Sequence, residues 1–437
     1  MHPTQVVVVG FLCVILVGTF LLSLPISSTD NKFTDPISAL FTATSATCVT
    51  GLSVETTAEH FSLFGQIVIL VMIQVGGLGF MSMAVLFSLI VKRSMTPKED
   101  LIIAESFGLS GNVDAARGFG RKILAWTGLF ELLGTLLLSV RFVRKYGAAR
   151  GIYYSIFHSV SAFCNAGFDV LGSDSLAGFS NDPVVVLTVS ALIIIGGIGF
   201  VVWFDLGNLR NKKRLSPYTK LVLITTVVLL AVGTFATLIL EWNNALADMS
   251  FGQRILNAFG HSVSLRTAGF SYFDNAVMTD ALKFISILLM MIGGASGSTA
   301  GGIKVSTIAV MVVAVVSSAL GKEDAVVFRR RIKRVAIVRA MSLFMIAITF
   351  TVTSALVISA LDSVPMLSAL YETVSAYATV GLSLSVTPML GSVSRIILVV
   401  LMFMGRVGVL TLTFSLAMRS SKKNSAARFA DTNIMIG

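Results

Sequence analysis

The segment Phe41-Thr-Ala-Thr-Ser-Ala-Thr-Cys-Val-Thr-Gly51 organises this sequence, because variants of it occur four times along the 437 residues. Each copy ends at a glycine and has an aromatic residue ten positions earlier, with mostly small residues just before the glycine. The four glycines are Gly51, Gly167, Gly269 and Gly381. The four aromatic residues are Phe41, Phe157, Phe259 and Tyr371. An internal repeat of this kind sets the architecture and must be recognised before any single segment is interpreted.

A second glycine-centred element follows each copy further along the same repeat. These elements read Gly76-Gly-Leu-Gly-Phe, Gly196-Gly-Ile-Gly-Phe, Gly293-Gly-Ala-Ser-Gly and Gly405-Arg-Val-Gly-Val. The position six residues before the repeat glycine is occupied by Ser45, Ser161 and Ser375, and once by Val263. Two sets of landmarks in one register favour a fourfold repeat over four unrelated loops.

The composition predicts a multi-pass membrane protein. Apolar residues make up 55% of the chain and charged residues only 13%, and the mean hydropathy is +0.88. A soluble domain of this size carries about 25% charged residues. The first apolar run, residues 6–24, lacks both a basic start and a small-residue cleavage site. We therefore predict a membrane span there and not a removable signal peptide.

The net charge of +11 is concentrated in a few loops. Most lysines and arginines fall in residues 92–122, 210–220, 322–339 and 419–428. Each cluster follows the second long span of a repeat, as the positive-inside rule expects of cytoplasmic loops, although residues 141–150 would place a fifth basic group outside. We predict cytoplasmic N- and C-termini in the cell membrane, with anionic lipid and not nucleic acid as the partner of these loops.

Each repeat contains a long apolar run, a short run that ends at the repeat glycine, and a second long run. Runs of about 20 residues cross the ~30 Å of hydrocarbon, whereas a dozen helical residues cover only ~18 Å. The short runs must therefore enter the membrane and turn back, which is tolerated where the backbone is buried or lines a wet cavity.

The predicted fold class is an all-α polytopic membrane protein. Four helix–pore loop–helix repeats would stand in a pseudo-fourfold arrangement around one pore, with about eight transmembrane helices. The second long run of repeat 2, residues 183–206, is predicted as an unbroken span. The predicted boundaries are 1–91 for repeat 1, 92–120 for a cytoplasmic linker, 121–209 for repeat 2, 210–320 for repeat 3, 321–418 for repeat 4 and 419–437 for a cytoplasmic tail.

One span departs from the pattern. Residues 281–320 are too many for a single crossing, and their middle, residues 293–302, contains five glycines. Glycine costs about 1 kcal/mol per helix-interior position relative to alanine, so this segment is predicted to unwind. The dozen residues before it reach only ~18 Å into the membrane, which favours a break inside the bilayer over a surface loop.

The sequence offers little for catalysis. Its three cysteines and four histidines form no metal-binding spacing, and the acids Glu131, Asp205 and Glu372 are scattered. We predict that the protein is not an enzyme and carries no organic cofactor. Glu131 falls in the middle of a span, where a carboxylate either has a function or makes a hydrogen bond that packs helices.

The repeats are suited to conducting a cation. A cation that leaves water needs oxygens at fixed positions, commonly a ring of backbone carbonyls. Helix carbonyl ends carry a partial negative charge, and glycine exposes its carbonyl in conformations barred to other residues. The predicted filter comprises Cys48, Val49, Thr50, Gly51, Asn165, Ala166, Gly167, Thr267, Ala268, Gly269, Thr379, Val380 and Gly381. Glu55 and Asp169 would either concentrate cations at the outer mouth or be ordinary loop acids.

Thr379-Val-Gly381 resembles part of a potassium-channel filter. Together with Gly297-Ser-Thr-Ala-Gly-Gly-Ile-Lys304, the fourfold repeat resembles the Trk/Ktr/HKT superfamily of potassium transporters over nearly the whole chain. The layout is most similar to the membrane subunits of bacterial Ktr systems. The resemblance implies uptake of K⁺ bound at the carbonyls of Gly51, Gly167, Gly269 and Gly381. A serine at the first of these positions is associated with sodium transport in some plant relatives.

The resemblance also implies a gate beneath the filter. Its residues would be Gly293, Gly294, Ala295, Ser296, Gly297, Ser298, Thr299, Ala300, Gly301, Gly302, Lys304 and Arg406. Arg406 lies about 20 Å along a helix from the next basic cluster, too far to reach the interface easily, which favours a role at the gate. The family further implies a homodimer, a cytosolic ring of nucleotide-binding regulatory subunits, and stimulation by Na⁺.

The main alternative is a secondary transporter with alternating access that is coupled to Na⁺ or H⁺. Broken helices around a site at the membrane midplane are typical of that class, in which repeats usually run in inverted pairs. Here the basic loops predict that all four repeats share one orientation. That arrangement favours a ring around a pore.

Overall fold

The computed structural model describes residues 3–79, 119–172, 175–209 and 214–408. Within these ranges the protein is almost entirely helical. Most of the predicted linker at residues 92–120, the end of the first repeat's second span and the tail at residues 419–437 lie outside the described residues. The predictions made for those segments stay predictions.

The first repeat contains three helices, α1 (Pro3–Ser23), α2 (Pro36–Thr47) and α3 (Leu63–Leu78). Asp35 starts α2, because its carboxylate accepts a hydrogen bond from Ser38 N at 3.0 Å and a proline at the first helical position fixes the backbone. A single turn, Thr57–His60, precedes α3.

The second repeat contains α4 (Phe119–Tyr146), α5 (Ala148–Phe163), α6 (Pro183–Gly197) and α7 (Phe200–Gly207). The predicted unbroken span at residues 183–206 is wrong, because α6 and α7 meet at an angle of 94°. The bend falls at Gly199, whose φ of 92° is not helical.

The third repeat contains α8 (Pro217–Glu241), α9 (Phe251–Ser264), α10 (Asp280–Met290) and α11 (Val305–Ala319). The predicted break in its last span is confirmed, since the helix stops at Met290 and resumes at Val305. The two ends of the break are bonded to each other. Gly293 N donates to Ile303 O at 2.8 Å, and Val305 N donates to Gly294 O at 3.0 Å. We call residues 293–302 the glycine loop.

The fourth repeat is preceded by a short hairpin, β1 (Val326–Val327) paired antiparallel with β2 (Arg330–Arg331). It contains α12 (Arg334–Asp362), α13 (Met366–Tyr377) and α14 (Ser392–Val407). We call α2, α5, α9 and α13 the ring helices, because each leads to a repeat glycine.

Four of the described helices, α1, α4, α8 and α12, are long and apolar enough to cross a membrane, and α6 with α7 would make a fifth span if counted as one. Each of the four packs on the ring helix of its own repeat. The aromatic landmarks Phe41, Phe157 and Tyr371 are fully buried there, while large apolar side chains such as Phe20 and Phe235 are exposed on the outside. The apolar exterior and buried interior are those of a multi-pass membrane protein.

Candidate functional site

The four repeat glycines share one backbone conformation. Their φ angles are all positive, at 92° for Gly51, 69° for Gly167, 76° for Gly269 and 94° for Gly381. The residue two positions earlier also has a positive φ in every copy. These angles are 51° for Val49, 57° for Asn165, 65° for Thr267 and 52° for Thr379. Residues with a Cβ rarely adopt such values, so four segments of different sequence form the same unusual turn.

The four glycines lie side by side in a closed circuit, which we call the glycine ring. A Cβ added to any of them would collide with the carbonyl oxygen of the residue before the next glycine, at 2.6 to 2.8 Å in three cases. The facing pairs are Gly51 with Ala166, Gly167 with Ala268, Gly269 with Val380, and Gly381 with Thr50. Backbone therefore meets backbone all the way around, and no side chain fits at a ring position.

Serine hydroxyls support these turns. Gly51 N donates to Ser45 Oγ and Gly381 N donates to Ser375 Oγ, each at 3.1 Å. In the second repeat the hydroxyl works as a donor, since Ser161 Oγ bonds to Phe168 O at 2.6 Å.

The third repeat corrects the alignment that placed Val263 beside those serines. Ser264 Oγ donates to Phe270 O at 2.6 Å, in the manner of Ser161. Ala268 N bonds to the carbonyl of the residue four positions earlier, whereas the equivalent amides of the other three repeats bond to the carbonyl five positions earlier. The turn in the third repeat is therefore one residue shorter. A single-residue gap in the alignment would have placed Ser264 beside the other serines.

The glycine loop lies against the ring on the side where the ring helices end. Thr299 Oγ1 donates to Phe163 O at 3.1 Å and lies 3.2 Å from the side-chain amide of Asn165. A Cβ at Gly301 would strike Thr379 Oγ1, and one at Gly293 would lie 3.3 Å from Thr267 Cγ2. The loop thus touches the residue two positions before the ring glycine in three of the four repeats.

Three cationic side chains bind carbonyls of the glycine loop. Arg406 donates to Thr299 O and Gly76 O, and to Gly77 O at 2.9 Å. Lys304 Nζ donates to Ala300 O at 2.6 Å, within the loop itself. Both residues were predicted to act at a gate, and in the structure both bind carbonyls of the glycine loop. The gating role itself stays a prediction.

The third cation, Arg266, was missed by the sequence analysis. The residue is 9% exposed, and its guanidinium donates to Gly293 O at 3.3 Å. It stands three residues before Gly269, where the other repeats carry Cys48, Cys164 and Ala378. A column-by-column comparison of the four copies would have found the one charged residue among three small neutral ones.

A family model described as TrkH, cation transport protein, matches residues 1–426 of the chain. The chain belongs to the TrkH family. The potassium/sodium uptake protein NtpJ of Enterococcus hirae is 38% identical and is aligned over 100% of this chain and 98% of its own length. The Ktr system potassium uptake protein B of Bacillus subtilis is also 38% identical, over 100% of this chain and 97% of its own.

The TrkH family fold is also evident from a solved structure. The crystal structure of the potassium transporter TrkH from Vibrio parahaemolyticus matches with a TM-score of 0.70. The match has 20% sequence identity and covers 93% of this chain and 84% of that one. At this identity the likeness concerns the fold alone. These relatives are named as transport proteins, which is consistent with a protein that is not an enzyme.

Two acids of this TrkH family member hold structure together. Gln74 Nε2 donates to Glu131 Oε1 at 2.9 Å and so joins α3 to α4, which is the packing interpretation of Glu131. Glu372, fully buried in α13, accepts hydrogen bonds from Ser383 Oγ and Thr387 Oγ1, each at 2.6 Å. Glu372 thereby holds the segment that follows Gly381. Its partners are far along the chain, so no local pattern in the sequence could have revealed this role.

The two acids predicted near the outer mouth contact their own loops. Asp169 Oδ1 accepts a hydrogen bond from Leu171 N at 3.1 Å. Glu55 Oε2 lies 4.0 Å from His60 Nδ1, and its side chain is 41% exposed. These contacts are those of loop acids, and both residues lie within four positions of a ring glycine.

Proposed function

We propose that the protein carries potassium ions into the cell through a channel-like pathway whose selectivity filter is the glycine ring. The observation that carries this proposal is the closed circuit in which each ring glycine faces the carbonyl before the next glycine. Rings of backbone carbonyls replace the hydration shell of K⁺ in potassium channels. Four repeats of one chain in a pseudo-fourfold arrangement supply such a ring here.

The filter consists of the residues that lead into each ring glycine, and K⁺ binds at the carbonyls of the glycines themselves. The ring helices support this assignment, because α2, α5, α9 and α13 all end within five residues of the ring. The carbonyl end of a helix carries a partial negative charge of about half an elementary charge, which favours a cation beside it. Four such ends converge where the ion would lose its water.

The glycine loop acts as the gate of this pathway. It lies against the ring in contact with three repeats, so an ion that has passed the ring meets the loop next. Arg406, Lys304 and Arg266 add positive charge at the same place and bind the loop's carbonyls. The closed state is therefore held by charge-assisted hydrogen bonds, each worth about 1.5–3 kcal/mol, and opening requires that some of them break.

The names of the relatives bear on which ion is carried. The Bacillus subtilis relative is named for potassium, and the Enterococcus hirae relative for potassium and sodium. We assign K⁺ to this chain because all four ring positions are glycine. Na⁺ would act as a stimulating ion and not as the main cargo.

The Bacillus subtilis relative is named as protein B of a Ktr system, which supports the existence of further components. We propose a homodimer with cytoplasmic termini that sits on a cytosolic ring of nucleotide-binding regulatory subunits.

The two broken helices, α6–α7 and α10–α11, favour a second candidate, alternating access coupled to Na⁺ or H⁺. Potassium uptake in purified proteoliposomes separates the two. A channel-like pathway carries K⁺ down its own gradient, whereas a coupled transporter also needs the gradient of the coupling ion. Uptake that stops when Na⁺ and H⁺ gradients are removed would contradict the channel.

Replacing Gly51 with serine tests the filter in the same assay, with K⁺, Rb⁺ and Na⁺ compared. The new Cβ would lie 2.6 Å from Ala166 O, and φ at this position is 92°. The ring must deform, so discrimination of K⁺ from Na⁺ is expected to fall about tenfold, equivalent to about 1.4 kcal/mol. Gly147→Ser is the matched control, because φ there is 82° and a Cβ would meet no described atom within 4 Å. An unchanged ion ratio in folded Gly51→Ser protein would show that the ring is not the filter.

A further inference from the structure

The break between α6 and α7 holds the tip of the glycine loop. Ala295 N donates to Gly197 O at 2.8 Å, and Thr299 N donates to Gly196 O at 3.3 Å. A third bond runs the other way, from Phe200 N to Gly297 O at 2.8 Å. The loop comes from the third repeat and the break from the second, so backbone groups left free by one interruption are satisfied by the other.

The glycines of the break allow this close approach. A Cβ at Gly199 would lie 3.0 Å from Ser296 O and 3.3 Å from the Ala295 Cβ. A Cβ at Gly196 would lie 2.9 Å from Thr299 Oγ1. The bend has support of its own, because Trp203 Nε1 donates to Ile195 O at 2.9 Å. Trp203 thus caps one of the carbonyls that the bend removes from the helix.

The first repeat carries the same motif without the loop. Gly79 is the counterpart of Gly199 in Gly76-Gly-Leu-Gly79, and its φ of 80° is close to the 92° of Gly199. A Cβ at Gly79 would meet no atom of the described chain within 4 Å. Backbone shape is therefore common to both motifs, and contact with the glycine loop distinguishes the second.

We infer that the α6–α7 break, together with Tyr218, is the seat of the gate: it positions the glycine loop in the closed pathway. This inference rests on the gating role proposed above. The loop leaves the pathway only when its three backbone bonds to the seat break or when α7 moves with it. Tyr218 lies in the first turn of α8. It belongs to the seat because its hydroxyl donates to Ser296 O at 3.2 Å.

The seat also connects the gate to the chain between repeats 2 and 3. Ser216 N donates to Asp205 Oδ2 at 2.8 Å, which ties α7 to the start of α8. A displacement of that connection is transmitted through α7 and Tyr218 to both sides of the loop tip. A regulator acting on this connection would reach the gate without touching the loop.

The test compares Gly199→Ala with Gly147→Ala, because both changes place a Cβ at a glycine of positive φ, 92° and 82°. Gly199→Ala pushes against the loop and is expected to raise K⁺ flux about tenfold, through a shift toward the open arrangement. Gly147→Ala is expected to leave flux close to wild type, because a Cβ there would meet no described atom within 4 Å. A second readout is the rate at which a charged thiol reagent modifies Ala300→Cys in a Cys13→Ser background. Ala300 is 1% exposed, and the remaining cysteines, Cys48 and Cys164, are buried.

Release of the loop is expected to raise that modification rate about tenfold in Gly199→Ala and not in Gly147→Ala. Tyr218→Phe provides a second variant in case Gly199→Ala does not fold, because it removes only the hydroxyl bond to Ser296 O. A rise in the modification rate of about threefold is expected there. If Tyr218→Phe and any folded Gly199→Ala protein match wild type in both readouts, the seat is refuted.

Deletion of residues 295–299 distinguishes failure of the seat from failure of the gate. If the deletion raises flux while the seat variants do nothing, the gate stands and this inference is wrong. If the deletion leaves flux unchanged in folded protein, the proposed gate itself is wrong.

Discussion

Ser264 determines the register of the third repeat. Its hydroxyl bonds to Phe270 O just beyond the ring, and both residues are fully buried. Fixed spacing from the glycine points to Val263, because an alignment without gaps cannot represent a turn that is one residue shorter. The hydrogen bonds, and not the residue count, define which side chains are equivalent.

Ser264→Ala is expected to lower both stability and ion discrimination. Loss of one buried hydrogen bond costs about 1–3 kcal/mol, and here the freed carbonyl belongs to the residue after the ring glycine. Ser262→Ala is the matched control, since Ser262 is also buried and donates to Leu230 O at 2.8 Å, away from the ring. Both variants are expected to lower the thermal midpoint similarly. Only Ser264→Ala is expected to change the K⁺/Na⁺ flux ratio, and an equal ratio in both variants would contradict its role at the filter.

The ring glycines and Arg406 could be found in the sequence because each stands out locally. Glycines at a fixed spacing and a lone charge in an apolar run need no knowledge of distant residues. The contacts of Glu372 and Arg266 could not be found this way. Their partners, Thr387 and Gly293, are 15 and 27 residues away along the chain. Only the folded chain brings these groups together.

Among the helices and loops, composition predicted one interruption and missed the other. The glycine loop has five glycines within ten residues, enough to overcome the apolar character of its flanks. The bend between α6 and α7 contains Gly196, Gly197 and Gly199 in a run that stays strongly apolar. Its conformation depends on the loop bonds and on Trp203, which are tertiary contacts and leave no periodic signal.

The loop and Arg406 are expected to act as one gating unit. Deleting residues 295–299 removes Thr299 O, and Arg406→Ala removes the guanidinium that binds it. Each change is expected to raise K⁺ flux about tenfold, since a lost charge-assisted bond of about 1.5–3 kcal/mol shifts a balance of a few kcal/mol. The combined variant is expected to show less than the product of the two effects, because both changes act on one contact. Flux is measured per folded protein in proteoliposomes.

Arg395→Ala is the control for this pair. Arg395 lies at the start of the same helix, α14, and bonds to Pro388 O at 3.0 Å, away from the glycine loop. Its substitution is expected to leave the closed state intact. If the deletion variant and Arg406→Ala both show wild-type flux, the glycine loop is a passive hinge and not a gate.

On the scale of the whole molecule, the basic clusters predict which side of the membrane each loop occupies. Two of the clusters, at residues 92–122 and 419–428, lie largely or wholly outside the described residues. The hairpin of β1 and β2 lies within the described chain. Arg329 in its turn and Arg330 in β2 are exposed, and the exposed Arg331 is paired with Asp324 at 2.7 Å. Orientation and assembly depend on the lipid and on other chains, and neither is encoded in contacts within this one.

A soluble regulatory partner is expected to bind the face that carries this hairpin. Affinity-tagged protein from its native membrane should retain a nucleotide-binding subunit, and neutralising Arg329 and Arg330 to glutamine should weaken that retention severalfold, as expected for a charge-complementary interface. Arg144 and Arg150, neutralised in the same way, serve as the control because they would lie on the opposite face. Protein that purifies alone yet shows fully regulated flux would contradict this prediction.

Arg266 has no charged counterpart at the equivalent position of the other three repeats. This difference bears on why one polypeptide carries all four repeats. In an assembly of identical subunits every change is made in each subunit, so a buried arginine or an inserted loop would appear four times around the axis. The space beneath the ring holds one glycine loop, already in contact with three repeats, and four copies would collide. Because one chain carries all four repeats, their sequences can differ. One repeat supplies the glycine loop, another binds its tip and a third supplies Arg406. If the glycine loop is the gate that we propose, rearranging one repeat is then enough to open the passage.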